Sequence, residues 1–100
     1  VVGTFPDFVQ ITQVEQPNIP GLEVNIYPNP FVRQVTFEVT GTAVRELSLQ
    51  LFDANGRLIR QRTAPTNRLE LSRQGLPAGS YFFRLSSGKQ WLGSGQLIVR

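Results

Sequence analysis

Apolar residues in this chain alternate with polar ones in short runs, and no window of about 11 residues carries a helical period. Val35-Thr36-Phe37-Glu38-Val39 is apolar at its odd positions, and Leu47-Ser48-Leu49-Gln50-Leu51 repeats the pattern. A strand sends successive side chains to opposite faces, so such runs bury one face and wet the other. Glu23–Tyr27, Leu58–Thr63, Asn67–Ser72, Ser80–Leu85 and Gln90–Arg100 read as further strands, with Tyr81, Phe83 and Leu85 on one inward face. Pro28 with Pro30, Asp53-Ala54-Asn55-Gly56, Leu76-Pro77-Ala78-Gly79 and Ser86-Ser87-Gly88-Lys89 supply the turns, because Gly and Asn accept positive φ and Pro ends a ladder. About seven strands with turn signals every ~8–12 residues predict an all-β fold, an immunoglobulin-like antiparallel β-sandwich. Gly93 and Gly95, inside the last strand, predict a bulge or a close backbone approach.

The side chains available argue against an enzyme. The sequence holds no cysteine and no histidine, which removes disulfides, thiolate metal sites, a cysteine nucleophile and the commonest general base. Its seven carboxylates are scattered singly from Asp7 to Glu70. Asp53-Ala54-Asn55-Gly56 begins like a calcium loop but lacks the third oxygen ligand before its Gly and the Glu after it, so it reads as a hairpin turn. No cofactor and no metal are expected. The net charge of +3 is carried almost wholly by arginine, too thin a surplus at 17% charged residues to call for nucleic acid. Arg57, Arg60 and Arg62 are the densest basic group, with Arg60 and Arg62 sharing one strand face that is read as solvated. Phe82, out of the inward phase, and Trp91, near a hairpin, are the candidate exposed aromatic pair, so a carbohydrate-binding platform stands as an alternative beside a plain Ig-like spacer or adhesion module.

Residues 1–22 differ in composition, with three prolines, no basic residue and the extended-looking run Gln16-Pro17-Asn18-Ile19-Pro20-Gly21. They are expected to be a linker or the tail of a preceding passenger domain, with the module proper at 23–100. Phe8–Val14 is β-prone; an unpaired strand there would offer its edge to a second molecule and give a strand-mediated dimer. A chain that opens on Val1 and contains no methionine is expected to be a piece of a longer exported protein, with any export signal upstream.

Four landmarks follow one another in order: Tyr27-Pro28-Asn29-Pro30-Phe31; Leu51-Phe52-Asp53-Ala54-Asn55-Gly56-Arg57-Leu58-Ile59; Leu76-Pro77-Ala78-Gly79-Ser80-Tyr81-Phe82-Phe83-Arg84-Leu85; and Gly88-Lys89 with Gly95-Gln96-Leu97-Ile98-Val99-Arg100. Together they resemble the C-terminal sorting domain of cargo of the type IX secretion system of Bacteroidetes, over about four-fifths of the chain. The resemblance implies a domain that folds behind its passenger in the periplasm and is recognised by an outer-membrane translocon and its shuttle components. It further implies that a sortase-like cysteine protease cuts the domain off at the cell surface, where the passenger is released or joined to lipopolysaccharide. The family's last strand usually begins with Lys; here that place is held by Gln96, while Arg100 keeps the terminal basic residue.

On that reading the candidate contacts with the translocon are Pro77, Ala78 and Gly79, Lys89, and Gln96, Ile98 and Arg100, the outward residues of the last strand. Leu97 and Val99 are expected to point inward, and a terminal strand is expected to offer its free edge to a partner by strand addition. The cut is expected between about Gln10 and Leu22, centred on Gln16–Gly21, because a protease needs an accessible extended segment.

Overall fold

The computed structural model describes residues 14–100. Among them are eight strands: β1 (Val14–Glu15), β2 (Glu23–Tyr27), β3 (Gln34–Thr40), β4 (Leu47–Phe52), β5 (Leu58–Ala64), β6 (Arg68–Ser72), β7 (Gly79–Ser87) and β8 (Gln90–Val99). They form a five-stranded sheet, ordered β1-β8-β7-β4-β5, and a three-stranded sheet, ordered β2-β3-β6. Every ladder between them is antiparallel. This is the expected sandwich, with one short strand more than the alternation reveals.

The period-two pattern places the apolar residues as expected, with Thr36 of β3 buried besides and Leu92 and Gly93 of β8 buried in succession beside a bulge. Val35, Phe37 and Val39 of β3 and Leu69 and Leu71 of β6 face Leu47, Leu49 and Leu51 of β4 and Tyr81, Phe83 and Leu85 of β7, all buried. Leu97 and Val99 of β8 join them, as alternation requires. Each fully buried Leu or Phe side chain contributes about 1.5–3 kcal/mol relative to exposure, so this layer supplies most of the drive to fold. The Phe37 and Phe83 rings meet edge to face across the sheets with centroids 5.3 Å apart, a geometry that adds about 0.5–1.5 kcal/mol.

The β7–β8 turn is shorter than the sequence suggests. Ser86 and Ser87 still pair, with Trp91 and Gln90, so the turn is Gly88-Lys89 alone, with Gly88 at φ 60°. Glycine in the first central position is what a two-residue hairpin of this hand requires. The ladder shifts register between Leu85 and Ser86, opposite Leu92. Next to this bulge, a Cβ on Gly93 would stand 3.3 Å from both the Glu15 carbonyl oxygen and Val14 Cγ1, so the close approach expected there is made by β1.

Arg60 and Arg62 do share a face, but it is the inner one rather than a solvated outer face. They lie opposite Leu51 and Leu49, both fully buried. β5 is an edge strand, so its inward side chains reach the open rim of the sandwich. There Arg60 donates to the Gln74 carbonyl and Arg62 to Gln74 Oε1, and each also donates back to the carbonyl of the residue before it. Inward charges on an edge strand oppose pairing with another chain.

The run Gln16–Gly21 is a hydrogen-bonded loop rather than the extended segment its composition suggests. Gln16 Nε2 donates to the Leu22 carbonyl at 2.9 Å, Ile19 N–H to Pro17 O and Leu22 N–H to Ile19 O. Ile19 packs against the core and Leu22 is part of it. The candidate strand Phe8–Val14 lies outside the described residues except for Val14, which pairs with Gly95 of the same chain.

The loop is locked at Gly41, which has φ 86° and abuts Gly21; a Cβ there would overlap the Gly21 carbonyl. Gly41→Ala is therefore expected to cost about 2 kcal/mol or more in chemical denaturation, against about 1 kcal/mol for Gly56→Ala, which has a similar φ of 82° but open space around it. Equal losses would show that the Gly21–Gly41 contact does not matter.

Candidate functional site

Parts of all four sequence landmarks meet at one end of the sandwich, while Gly88-Lys89 of the fourth lies at the other. Proline lacks an N–H, so Pro28 and Pro30 cannot extend β2 as a ladder strand. Asn29, held between them, works through its side chain. Its Nδ2 donates to the Gln96 carbonyl at 3.1 Å, and its Oδ1 accepts from the Ile98 N–H at 3.0 Å. One amide side chain thus imitates a neighbouring strand along the outer edge of β8. Phe31 continues this: its N–H donates to Ile98 O, its carbonyl accepts from Arg100 N–H, and it forms an isolated parallel bridge with Val99. Its ring is buried at 1% exposure, which anchors the strap to the core.

Arg73 closes the same end. Its guanidinium donates to the carbonyls of Leu76, Val32 and Arg100, and its backbone N–H donates to Arg33 O. In the turn before β7, the Tyr81 hydroxyl donates to Pro77 O. The Asp53–Gly56 turn sits at this end too, since Phe52 pairs with Phe82 and Phe82 with Gln96. Asp53 accepts from the backbone N–H groups of Asn55 and Arg57 and pairs with the Arg57 guanidinium at 3.2 Å. These contacts, the Arg57 backbone hydrogen bond first, hold its carboxyl below the ordinary range.

Pro77, Ala78 and Gly79 are exposed and adjoin the end of β8, because Gly79 pairs with Val99. Gln96 and Ile98 are half-buried on the outer side of β8 and Arg100 is exposed, so these six candidates share one end. Lys89 does not join them. It is exposed at the opposite tip of the β7–β8 hairpin, about 25–30 Å away at ~3.3 Å per residue.

Among the described residues the last strand is not the expected free edge from Ser94 to Arg100. β8 lies inside its sheet between β7 and β1, with Asn29 and Phe31 occupying its outer side beyond β1. From Ser94 to Arg100 its outer backbone is already paired, which leaves side chains as the means of contact there. Sequence reasoning missed Arg73, which looks like any surface arginine in a strand-end turn. Asn29 was legible as part of a motif, but its bonds to residues 67 and 69 positions away were not.

Among the described residues no group of three or more metal-ligating side chains comes together. No helix of the described residues is long and apolar enough to cross a membrane.

The fold is that of an immunoglobulin-like β-sandwich. A DUF3244 family protein of that fold from Bacteroides vulgatus superposes with a TM-score of 0.68 at 12% identity, over 87% of this chain and 94% of that one. PorZ, an essential surface component of the type IX secretion system of Porphyromonas gingivalis, matches with a TM-score of 0.60 and 22% identity over 77% of this chain. Dimeric latent PorU from the same organism matches with 0.53 and 18% over 95%. The chain spans only about a tenth of either, 11% and 10%. At these identities the likeness shows the fold alone, and no curated protein matches the sequence. Residues 25–100 match the profile of the secretion system C-terminal sorting domain, and the chain belongs to that family. It is a sorting domain of the type IX system, as its landmarks indicate, and such a domain implies export toward the cell surface. Family and fold point to a non-catalytic role.

If the Asn29 side chain is what closes β8, Asn29→Ala should leave Ile98 N–H and Gln96 O short of partners in a half-buried place. A loss of about 1–3 kcal/mol in denaturant unfolding is expected, while Asn67→Ala, which frees one bond to Val39 O, should cost less. An Asn29→Ala domain as stable as wild type would contradict the strap.

Proposed function

We propose that this domain is the folded address of a passenger attached at its N-terminal side, with no catalytic activity of its own. Its fold forms in the periplasm, the outer-membrane translocon and shuttle components bind it there, and the passenger crosses to the surface or the medium. A sortase-like cysteine protease then removes the domain. The observation that carries this reading is the family match over residues 25–100, together with the gathering at one end of its landmarks other than Gly88-Lys89. A rigid sandwich suits an address, because a receptor meets a fixed shape and little ordering entropy is lost on binding.

The recognition elements in this proposal are Pro77, Ala78 and Gly79 with Gln96, Ile98 and Arg100, one continuous end of the molecule, and Lys89 acts separately if at all. The cut is placed between Gln10 and Leu22, upstream of the family match. For a protease to read Gln16–Gly21 in extended form, the Gln16–Leu22 hydrogen bond and the Ile19 contact must first break. Removal of the domain therefore begins with the opening of this loop, or falls before it. A dimer through residues 8–13 belongs to the same proposal, with Val14 already engaged in its own molecule.

The test is transfer. Residues 1–100 fused behind a foreign fluorescent protein carrying its own signal peptide should deliver it to the surface or medium of a type IX-competent cell, and not of a translocon-null strain. Retention of the fusion in the periplasm of the competent cell would reduce the domain to an Ig-like spacer.

A further inference from the structure

We propose that the outer face of the five-stranded sheet docks a protein segment that presents apolar side chains flanked by carboxylates; this rests on the sorting reading and assigns it a surface. Leu58 lies opposite Phe52, Phe52 opposite Phe82, and Phe82 opposite Gln96, with Ile98 two residues further along β8. All sit on the side of the sheet turned away from buried Leu51, Phe83 and Leu97. Leu58 is 46% exposed and Phe82 47%, while Phe52 and Ile98 are half-buried. Single exposed apolar residues are ordinary on a surface, but a row running across four strands marks a contact site.

The rim of this row is basic. Arg84 lies two residues from Phe82 on the same face, Arg100 two residues from Ile98, and Arg57 immediately before Leu58. Among the described residues neither Arg84 nor Arg100 makes a salt bridge; of the carboxylates on this side Asp53 is held by Arg57, and Glu15 stands in the same cross-strand row as Arg84 but beyond Ser94. An apolar centre within a cationic rim fits a partner of the opposite charge around an apolar anchor. The same face on a second copy would set arginine against arginine, which disfavours a two-fold dimer here. The outer face of the three-stranded sheet is different, with Glu23, Glu38 and Glu70 and a single arginine, Arg68.

The experiment uses the reporter fusion with Phe82→Thr and Arg84→Glu combined, both outward changes that keep strand-compatible side chains. Glu70→Gln, on the other sheet, is the control. The double variant should melt within a few degrees of wild type and lower the exported reporter at least tenfold, while Glu70→Gln exports normally. Normal export of the double variant would overturn the proposal. It is overturned equally if wild type, but not the variant, floats with phosphatidylglycerol vesicles, since the occupant is then lipid. Sedimentation of wild type as a dimer that the variant abolishes would make the occupant a second copy. If the wild-type fusion is not exported at all, the sorting reading itself fails and takes the docking face with it, an outcome distinct from a variant-specific loss.

Discussion

The last strand would be a bare sheet edge without Asn29 and Phe31. β1 covers only Ser94 and Gly95, so the polar backbone from Gln96 to Arg100 depends on a segment that precedes it by more than sixty residues. Unpaired backbone groups beside a hydrophobic layer are costly, and an open edge invites pairing with other chains. Two prolines keep the strap from becoming an ordinary strand, the Asn29 amide supplies a donor and an acceptor in place of a peptide group, and the Phe31 ring secures it in the core. Arg73 ties the far end by reaching three carbonyls at once.

This closure decides how the domain can be read by a partner. With the β8 edge filled from Ser94 to Arg100 and β5 protected by its inward arginines, strand addition is poorly served at this end of the five-stranded sheet. What remains there is a surface of side chains: the Leu58–Phe52–Phe82 row, the arginines around it, and the Pro77–Gly79 turn at its end. On the proposed reading, an address recognised by a face rather than an edge needs no free strand to be read.

The strands were legible because period-two alternation needs only local sequence, and every candidate from Glu23 onward is a strand within a few residues of its expected limits. The inward phase of Tyr81, Phe83, Leu85, Leu97 and Val99 followed for the same reason. What local pattern could not carry was pairing at long range. Val14–Glu15 is too short to announce itself, and its partner is eighty residues away. Proline-rich QPNIPG looked extended because composition does not report that Gln16 reaches Leu22 and that Gly21 fits beneath Gly41. The position of β8 inside its sheet, which removes the expected free edge, is a property of topology and not of any residue in the strand. That Arg60 and Arg62 lie on the inward side of β5, at its open rim, was not legible, because alternation fixes which residues share a face but not which face of an edge strand looks inward.

Amide hydrogen exchange of the intact domain, followed residue by residue, tests the closure of β8 most directly. The Ile98 and Arg100 amides, bonded to Asn29 Oδ1 and Phe31 O, should exchange as slowly as amides of the β7–β8 ladder, through global unfolding. Fast exchange at Ile98 and Arg100 beside slow exchange in that ladder would show an open edge, and would contradict an address read by its face.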